Sequence, residues 1–534
     1  MLKNDPKIIK SLWALLFISI LFRIVTAFNL PITLDEAYYQ SWSQYIDWGY
    51  FDHPPAIAWL LSLSQNTSSP GLIRLPSLLL SIIAIPISLS LGRAWNLNTK
   101  KNLIATTIMS CSFFGLIFGV IPTPDVPLAF FWLLALHEAA YALKGNEKRW
   151  ITAGIATGLG ILGKYTMVTI GFVFLWPLLF KKNLRELIFP CLGGLACLLI
   201  VLPHLRWNAN HDWVTFRFQF NRGLMATHDI GLSKVFKSPL PVIDPDEADL
   251  KGAALMQYFT AAEEKDEDKK ITSPAEKFLK RTSSYIGAQL AIFGFFIPLI
   301  FIKRRKKFSS SDSSSDVSRL LVAGTAVPIG IFFLVALFQK VEANWAAPFL
   351  FSASLLLATK ATEHYKFTLG AGLANLIVLT LLIMKGTITD NSIAASIKPG
   401  RIEKETHGYK ELANLTNDKM YTFAESYQLA SIIGYYRKWQ NISQWPGLTR
   451  HSEWTRRQEL TPVDLPQLKS KKSFELVTHR ITPPHIPGFE TTFATEVRDC
   501  FPKITITQAW ESSTFKPECK KFLNRWYIYR YELK

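Results

Sequence analysis

The chain has 534 residues, 49% of them hydrophobic, with 16 Trp, 37 Phe and a formal net charge of +18. Its apolar residues are gathered into blocks long enough to cross a bilayer, which takes about 20 residues per helix, so a water-soluble globular chain and a disordered one are both excluded. The cations sit between those blocks, alternately present and absent, which makes them an orientation signal and a contact for anionic inner-leaflet lipid and argues against nucleic acid as a partner.

In chain order, spans are expected at 8–28, 71–91, 103–120, 126–143, 151–163, 165–180, 186–203, 284–302, 319–338, 345–359 and 367–385, about eleven crossings in a polytopic α-helical membrane protein. The first block follows Lys3, Lys7 and Lys10 as a signal peptide would, but its length and the lack of a small-residue cleavage site before Pro31 make it an uncleaved span. Every second loop should hold the excess of Lys and Arg. One set of loops carries Arg93, Lys100 and Lys101, then Lys144, Lys148 and Arg149, then Lys181, Lys182 and Arg185, then 303–307 with Arg319, then Lys360 and Lys366. The other set has no Lys or Arg from Asn29 to Trp59 or from Ile121 to Asp125, and one each at Lys164 and Lys340. This places the amino terminus in the cytoplasm and the carboxyl tail outside.

The unusual polar motifs then gather on the outer face. Leu34-Asp35-Glu36-Ala37-Tyr38-Tyr39 continues through Asp47-Trp48-Gly49-Tyr50-Phe51-Asp52-His53-Pro54-Pro55, and Pro122-Thr123-Pro124-Asp125, Gly163-Lys164-Tyr165 and Lys340-Val341-Glu342-Ala343-Asn344-Trp345 follow. The aromatics of the first stretch either wall an active site or merely anchor an interfacial loop. In the long outer loop 204–283, Phe216 to Gly223 interleaves aromatics with Arg217 and Arg222, an interfacial element that faces lipid headgroups or a lipid phosphate, or an anchor without substrate contact. The mixed-charge stretch 244–280 reads as a solvated insertion, and Ser309 to Ser315 as a flexible cytoplasmic linker. From about Gly386 short alternating runs, Lys503 to Thr507 and Arg525 to Tyr531, predict strands and Tyr427 to Tyr436 a helix, giving a small soluble α/β domain over 386–534, on the outer side by the charge alternation. Cys111, Cys191 and Cys197 fall in spans as small packing residues, while Cys500 and Cys519 fall in the tail, where an extracytoplasmic disulfide is expected.

Two separated acids, a lysine at the hairpin of two short helices and aromatic walls suit group transfer from a membrane-embedded donor. Asp35 is the best-placed general base for an acceptor proton. Lys164 would stabilise the charge of a phosphate leaving group, or else it snorkels from a span end. Asp125 is a second active acid or a helix cap, and Arg74 pairs with an acid or snorkels.

These motifs, with Arg74-Leu75-Pro76-Ser77, resemble in their order the GT-C superfamily of polyprenyl-phosphate-sugar-dependent glycosyltransferases, in the branch related to protein O-mannosyltransferases and the lipid A aminoarabinose transferase. The resemblance covers residues 1–385 and implies inverting transfer from an undecaprenyl-phosphate-linked sugar to a periplasmic acceptor, lipid A or lipopolysaccharide core before protein. It implies Asp35, Glu36 and Asp125 as catalytic acids. It implies Lys164 near the donor phosphate and a cavity lined by Tyr38, Tyr39, Tyr50, Asp52, His53, Arg74, Tyr165, Arg222, Glu342 and Asn344. Where the aminoarabinose enzymes carry Glu-Lys-Pro-Pro, this chain has Asp52-His53-Pro54-Pro55, which argues against that sugar. The tail segment Ala424 to Ala430 resembles the family's periplasmic domain, without assigned chemistry. No cofactor is expected; a divalent ion on Asp35, Glu36, Asp52 and His53 is the less favoured alternative to carboxylate acid-base catalysis. A lipid-linked-sugar flippase is the competing class, disfavoured because its polar groups would lie near the bilayer midplane.

Overall fold

The computed structural model describes residues 6–65, 67–181, 183–223, 273–302, 312–387, 400–445, 449–450, 452–456, 470–484, 486, 488–500, 504–508 and 523–534. The membrane part begins with α1 (Pro6–Asn29), followed by three helices around the first long loop: α2 (Leu34–Trp42), α3 (Ala56–Ser62) and α4 (Pro70–Ala94). Then come α5 (Thr99–Cys111), α6 (Phe113–Ile117), α7 (Asp125–Leu143), α8 (Arg149–Ile161), α9 (Ile170–Leu178), α10 (Ile188–Asn210) and α11 (Val214–Gly223). Further helices run Pro274–Phe293, Asp312–Phe338, Phe349–Ala361 and Tyr365–Thr387.

All the expected spans are helical in whole or large part, but six helical stretches among the described residues are long and apolar enough to cross a membrane. The count differs because several segments are short or broken. Ser112 adopts an extended conformation, ends α5 and caps α6 through the Gly115 amide, so the block at 103–120 is two helices. Helices α8 and α9 are also short, and the last two expected spans join through a single 3₁₀ turn at Thr362–His364. The linker expected over Ser309 to Ser315 is shorter: a helix has already begun at Asp312, and 303–311 lie outside the described residues.

At the C-terminal end of α1 the chain turns into α2, and one buried cation fixes that turn. Arg74 of α4 donates to the carbonyls of Ala27, Leu30 and Pro31 at 2.9, 2.6 and 3.0 Å and pairs with Glu36 through two bonds of 2.6 and 2.8 Å. Thr33 caps α2, and Glu36 reaches back to the Thr33 amide, a capping box that satisfies two amides the helix would otherwise leave unpaired.

The tail forms a six-stranded mixed sheet in the order β2-β1-β3-β6-β4-β5, with β1 (Tyr421–Ala424) parallel to β2 (Ile442–Gln444) and β3 (Ser473–Thr478). Strands β4 (Phe489–Asp499), β5 (Ile504–Gln508) and β6 (Asn524–Leu533) complete it with antiparallel pairings. Strand alternation divides β6 between two cores. Tyr527, Tyr529 and Tyr531 pack with Phe423 and Phe474, while Trp526 and Ile528 face the helix Tyr427–Tyr436. That second core is continuous with Tyr38, Trp42, Tyr50 and Ile57 of the first long loop and its flanking helices, so the tail is seated on the acidic-aromatic stretch. Polar contacts reinforce the seat: Glu453 accepts from the Phe51 amide at 2.8 Å, and Tyr435 donates to the Ser68 carbonyl at 2.5 Å. Cys500 is disulfide-bonded, and Cys519 lies outside the described residues.

Candidate active site

A polar cavity of about 570 Å³ lies where α2, the first long loop, the start of α7, the Lys164 hairpin and the tail meet. Helix geometry selects which residues of α2 reach it. Asp35, Tyr38 and Tyr39, spaced by three and four residues, share one face and line the cavity. Glu36 turns the other way, into its fully buried pair with Arg74. Neither Glu36 nor Arg74 lines the cavity, so the expectation that they touch substrate gives way to a structural pairing that sets where α2 begins.

Asp35 is half-buried in the first turn of α2, where the helix N-terminus favours a negative charge, and it accepts a hydrogen bond of 2.9 Å from Gln428 of the tail. Asp52 is buried. Its two oxygens accept from Arg450 at 2.6 Å and from the Tyr38 hydroxyl. Burial pushes the Asp52 carboxyl above its ordinary value, against the pull of Arg450 and the Tyr38 hydroxyl. The Tyr38 hydroxyl is itself driven well up by burial and then by the Asp52 charge, so it stays a proton donor; it also accepts from the Glu453 amide at 2.9 Å. Arg450 lies over the rings of Tyr427 and Phe218, which joins the tail to α11 at the cavity wall.

Opposite lies the second acid. Asp125 opens α7, whose N-cap, Pro124, offers no side-chain cap. The two Asp125 oxygens instead take Lys164 at 2.8 Å and Asn344 at 2.7 Å, with the Lys164 and Asp125 side chains only 8% and 15% exposed. Lys164 is therefore an inward-turned, paired cation rather than a snorkelling one. Glu342 sits at the rim in a pair with Lys340 at 2.9 Å, and His53 lines the wall next to Asp52.

Two other expected residues stand behind the wall. Tyr50 is fully buried, stacked on Trp42, and its hydroxyl donates to the Tyr45 carbonyl at 2.9 Å. Tyr165 contacts His204 at 2.7 Å and stacks on Phe216, bracing the hairpin that carries Lys164. The Arg222 side chain lies outside the described residues. Tyr427, Gln428, Arg450 and Arg401 of the tail and Gln219 of α11 line the cavity without having been foreseen. The one trace of them in the sequence is the segment Ala424 to Ala430, which includes Tyr427 and Gln428.

An apolar groove of about 440 Å³ adjoins the cavity and shares Asp35, Thr123, Asp125, Asn344 and Arg401 with it. Its walls are Phe22, Phe114, Phe118, Leu379 and Ile383. A polar chamber with a paired cation, opening on an apolar groove, suits an amphipathic ligand with an anionic head. Among the described residues no group of three or more His, Cys, Asp or Glu is arranged to hold a metal ion.

Comparison with known proteins finds likenesses in sequence and in fold. A family model described as dolichyl-phosphate-mannose-protein mannosyltransferase matches residues 52–207. The lipid A galacturonosyltransferase RgtD of Rhizobium johnstonii is 29% identical over 198 residues, 34% of this chain. The matched stretch spans 40% of that relative's length. Two crystal structures of ArnT from Cupriavidus metallidurans, one apo and one bound to undecaprenyl phosphate, superpose with a TM-score of 0.56 at 11% and 12% identity. Each covers 97% of both chains. Family model, sequence relative and whole-chain fold converge: the chain is similar to the GT-C glycosyltransferases related to the O-mannosyltransferases, and it shares the fold of ArnT.

Proposed function

We propose that the chain is an inverting glycosyltransferase that moves a sugar from undecaprenyl phosphate to lipid A or the lipopolysaccharide core on the outer face of the bacterial inner membrane. The observation that carries the reading is the pairing of two chemistries in one cavity. Asp35 stands on one side, the Asp125, Lys164 and Asn344 cluster on the other, and an apolar groove meets both acids. In the proposed reaction an acceptor hydroxyl oxygen attacks the anomeric carbon from the face opposite the phosphate. The bond from that carbon to the phosphate oxygen breaks, and polyprenyl phosphate leaves with the bonding pair. Asp35 takes the hydroxyl proton, and Lys164, held in place by Asp125, offsets the charge that grows on the phosphate.

Tyr38, Tyr39, Asp52, His53 and Asn344 are proposed to line the sugar and phosphate positions, with Glu342 at the rim. Glu36, Arg74, Tyr50 and Tyr165 are proposed as positioning residues. The RgtD relative favours lipid A as acceptor, and the mannosyltransferase family match keeps a protein acceptor as the second reading. Mass spectrometry of lipid A and core oligosaccharide from cells with the gene, without it and with Asp35→Asn tests the proposal. Loss of the same sugar mass in both defective strains, with protein level unchanged, is expected. An unchanged glycolipid profile would move the acceptor to protein, and full activity of Asp35→Asn would remove that residue from the mechanism.

A further inference from the structure

Asp35 is the residue on which transfer turns, and the side chain that hydrogen-bonds to it comes from the tail. Gln428 donates from Nε2 to Asp35 Oδ1 at 2.9 Å across a separation of 393 residues. A general base is a carboxylate, which can only accept, so the amide nitrogen is the end that faces it. Among the described residues Oδ2 takes no hydrogen bond, and Asp35 lines both the polar cavity and the apolar groove. One oxygen of the base is therefore engaged by the tail and the other is left for a ligand.

The bond joins two helices that are packed on each other. Gln428 lies in the first turn of the helix Tyr427–Tyr436, where Ser426 caps the Leu429 amide at 3.2 Å. Leu429, Ala430 and Ile433 of that helix share a buried core with Ala37 and Tyr38 of α2. The rings of Tyr427 and Tyr38 meet with centroids 4.4 Å apart. Donor and acceptor are thus both set by packing, which is what a hydrogen bond needs to aim a carboxylate.

We propose that Gln428 is a positioning residue for the transfer reaction: it holds Asp35 through Oδ1 and presents Oδ2 to the acceptor hydroxyl, so that the tail completes the catalytic centre. The proposal rests on the reading of Asp35 as general base. In that reaction the acceptor oxygen bonds to the anomeric carbon, its proton passes to Oδ2, and polyprenyl phosphate leaves with the bonding pair. Gln428 itself gives up no proton. The other groups that face Asp35 leave this role to it. Burial raises the Tyr39 and Tyr427 hydroxyls, in Tyr427 against the pull of Arg450, and the Asp35 charge raises them further, so both stay neutral. Arg401 lies within the field of Asp35, but its Nε is engaged by Glu405 at 2.5 Å.

Transfer kinetics on the full-length protein test this. Gln428→Leu keeps the bulk and removes the donor. It should lower kcat and kcat/KM alike, about tenfold, the scale of one hydrogen bond to a charged group, at an unchanged melting temperature. Full activity would overturn the proposal, and so would a higher KM with kcat intact, which is the mark of a binding residue. Gln428→Glu gives a readout that a structural role would not move, and it serves equally if the leucine variant is too unstable to assay. While protonated, the introduced carboxyl donates to Asp35 as the amide does; once ionised, it repels it. The kcat of Gln428→Glu relative to wild type should be near parity at the acid end and fall as pH rises, and a ratio constant with pH overturns the proposal. An inactive wild type would overturn the proposed function and the positioning with it, whereas an active wild type matched by Gln428→Leu would overturn the positioning alone.

Discussion

The Asp52 and Arg450 pair is a residue-scale balance that pH should expose. Burial raises the Asp52 carboxyl while Arg450 and the Tyr38 hydroxyl hold it down, so Arg450→Ala should raise it further. A carboxyl whose folded value lies above its unfolded one stabilises the fold in its protonated form; that contribution is full below the unfolded value and lost as pH rises through the folded one. The variant should therefore melt progressively lower, relative to wild type, as pH rises above the ordinary carboxylate range, as followed by the thermal unfolding of detergent-purified protein. A constant difference over that rise would mean that Arg450 acts through its ring contacts alone. The Glu36 and Arg74 pair carries a different expectation. Both side chains are fully buried, and removing one partner strands the other charge, at a cost of about 3 to 5 kcal/mol. Arg74→Leu should thus appear as lost yield and a lower melting temperature, and a variant that folds normally but has lost only kcat would contradict this. That Asp35, Asp125 and Lys164 line one cavity was legible in the sequence because charge at the end of an apolar span is costly and stands out against its surroundings. Arg450 was not, since it lies 398 residues from Asp52 in a tail where arginine is ordinary. Glu36 was misjudged because a burst of polar residues on one helix looks uniform in sequence and divides between two faces in space.

At the scale of elements, the site depends on a helix too short to be stable alone. Helix α2 spans 9 residues, well under the roughly 12 to 15 at which an isolated helix becomes marginal, so its cap and its packing must define it. Thr33→Ala removes the hydroxyl that receives the Glu36 amide and should cost about 1 kcal/mol, measurable as a lower melting temperature. Because Asp35 sits in that first turn, transfer should fall with it, and Thr33→Ser, which keeps the cap, should restore both. Loss of stability with full activity would mean that packing alone fixes Asp35. The helices themselves were legible from apolar block length. Their breaks were less so: Ser112 divides one block through its own conformation and capping hydroxyl, a local choice that hydropathy averages away. In the tail, alternation foretold β5 and β6, and the helix Tyr427–Tyr436 falls at its expected bounds, but strand order did not follow from pattern because β1 pairs in parallel with two strands distant in sequence.

At the scale of the molecule, the two ends of the helical bundle differ in charge in a way that fixes a testable orientation. Lys7 and Lys10 open α1, Arg93 closes α4, Lys144 and Lys148 lie between α7 and α8, and Lys360 closes the helix Phe349–Ala361. The opposite ends of those same helices carry Asp35, Asp125 and the seat of the tail. Under the positive-inside rule the first set faces the cytoplasm, which would put the cavity and the sheet on the outer side, where a lipid-linked donor and lipid A could both reach Asp35. Single cysteines at exposed positions, Lys148→Cys between α7 and α8 and Glu490→Cys on β4, test this with a membrane-impermeant maleimide on intact spheroplasts. Glu490→Cys should label at once, and Lys148→Cys only after lysis, each against the parent chain with its native cysteines. The reverse pattern would put the cavity in the cytoplasm and remove the periplasmic reaction; labelling of both before lysis would show that the tail and the basic loop share one side, which the alternation of charge forbids.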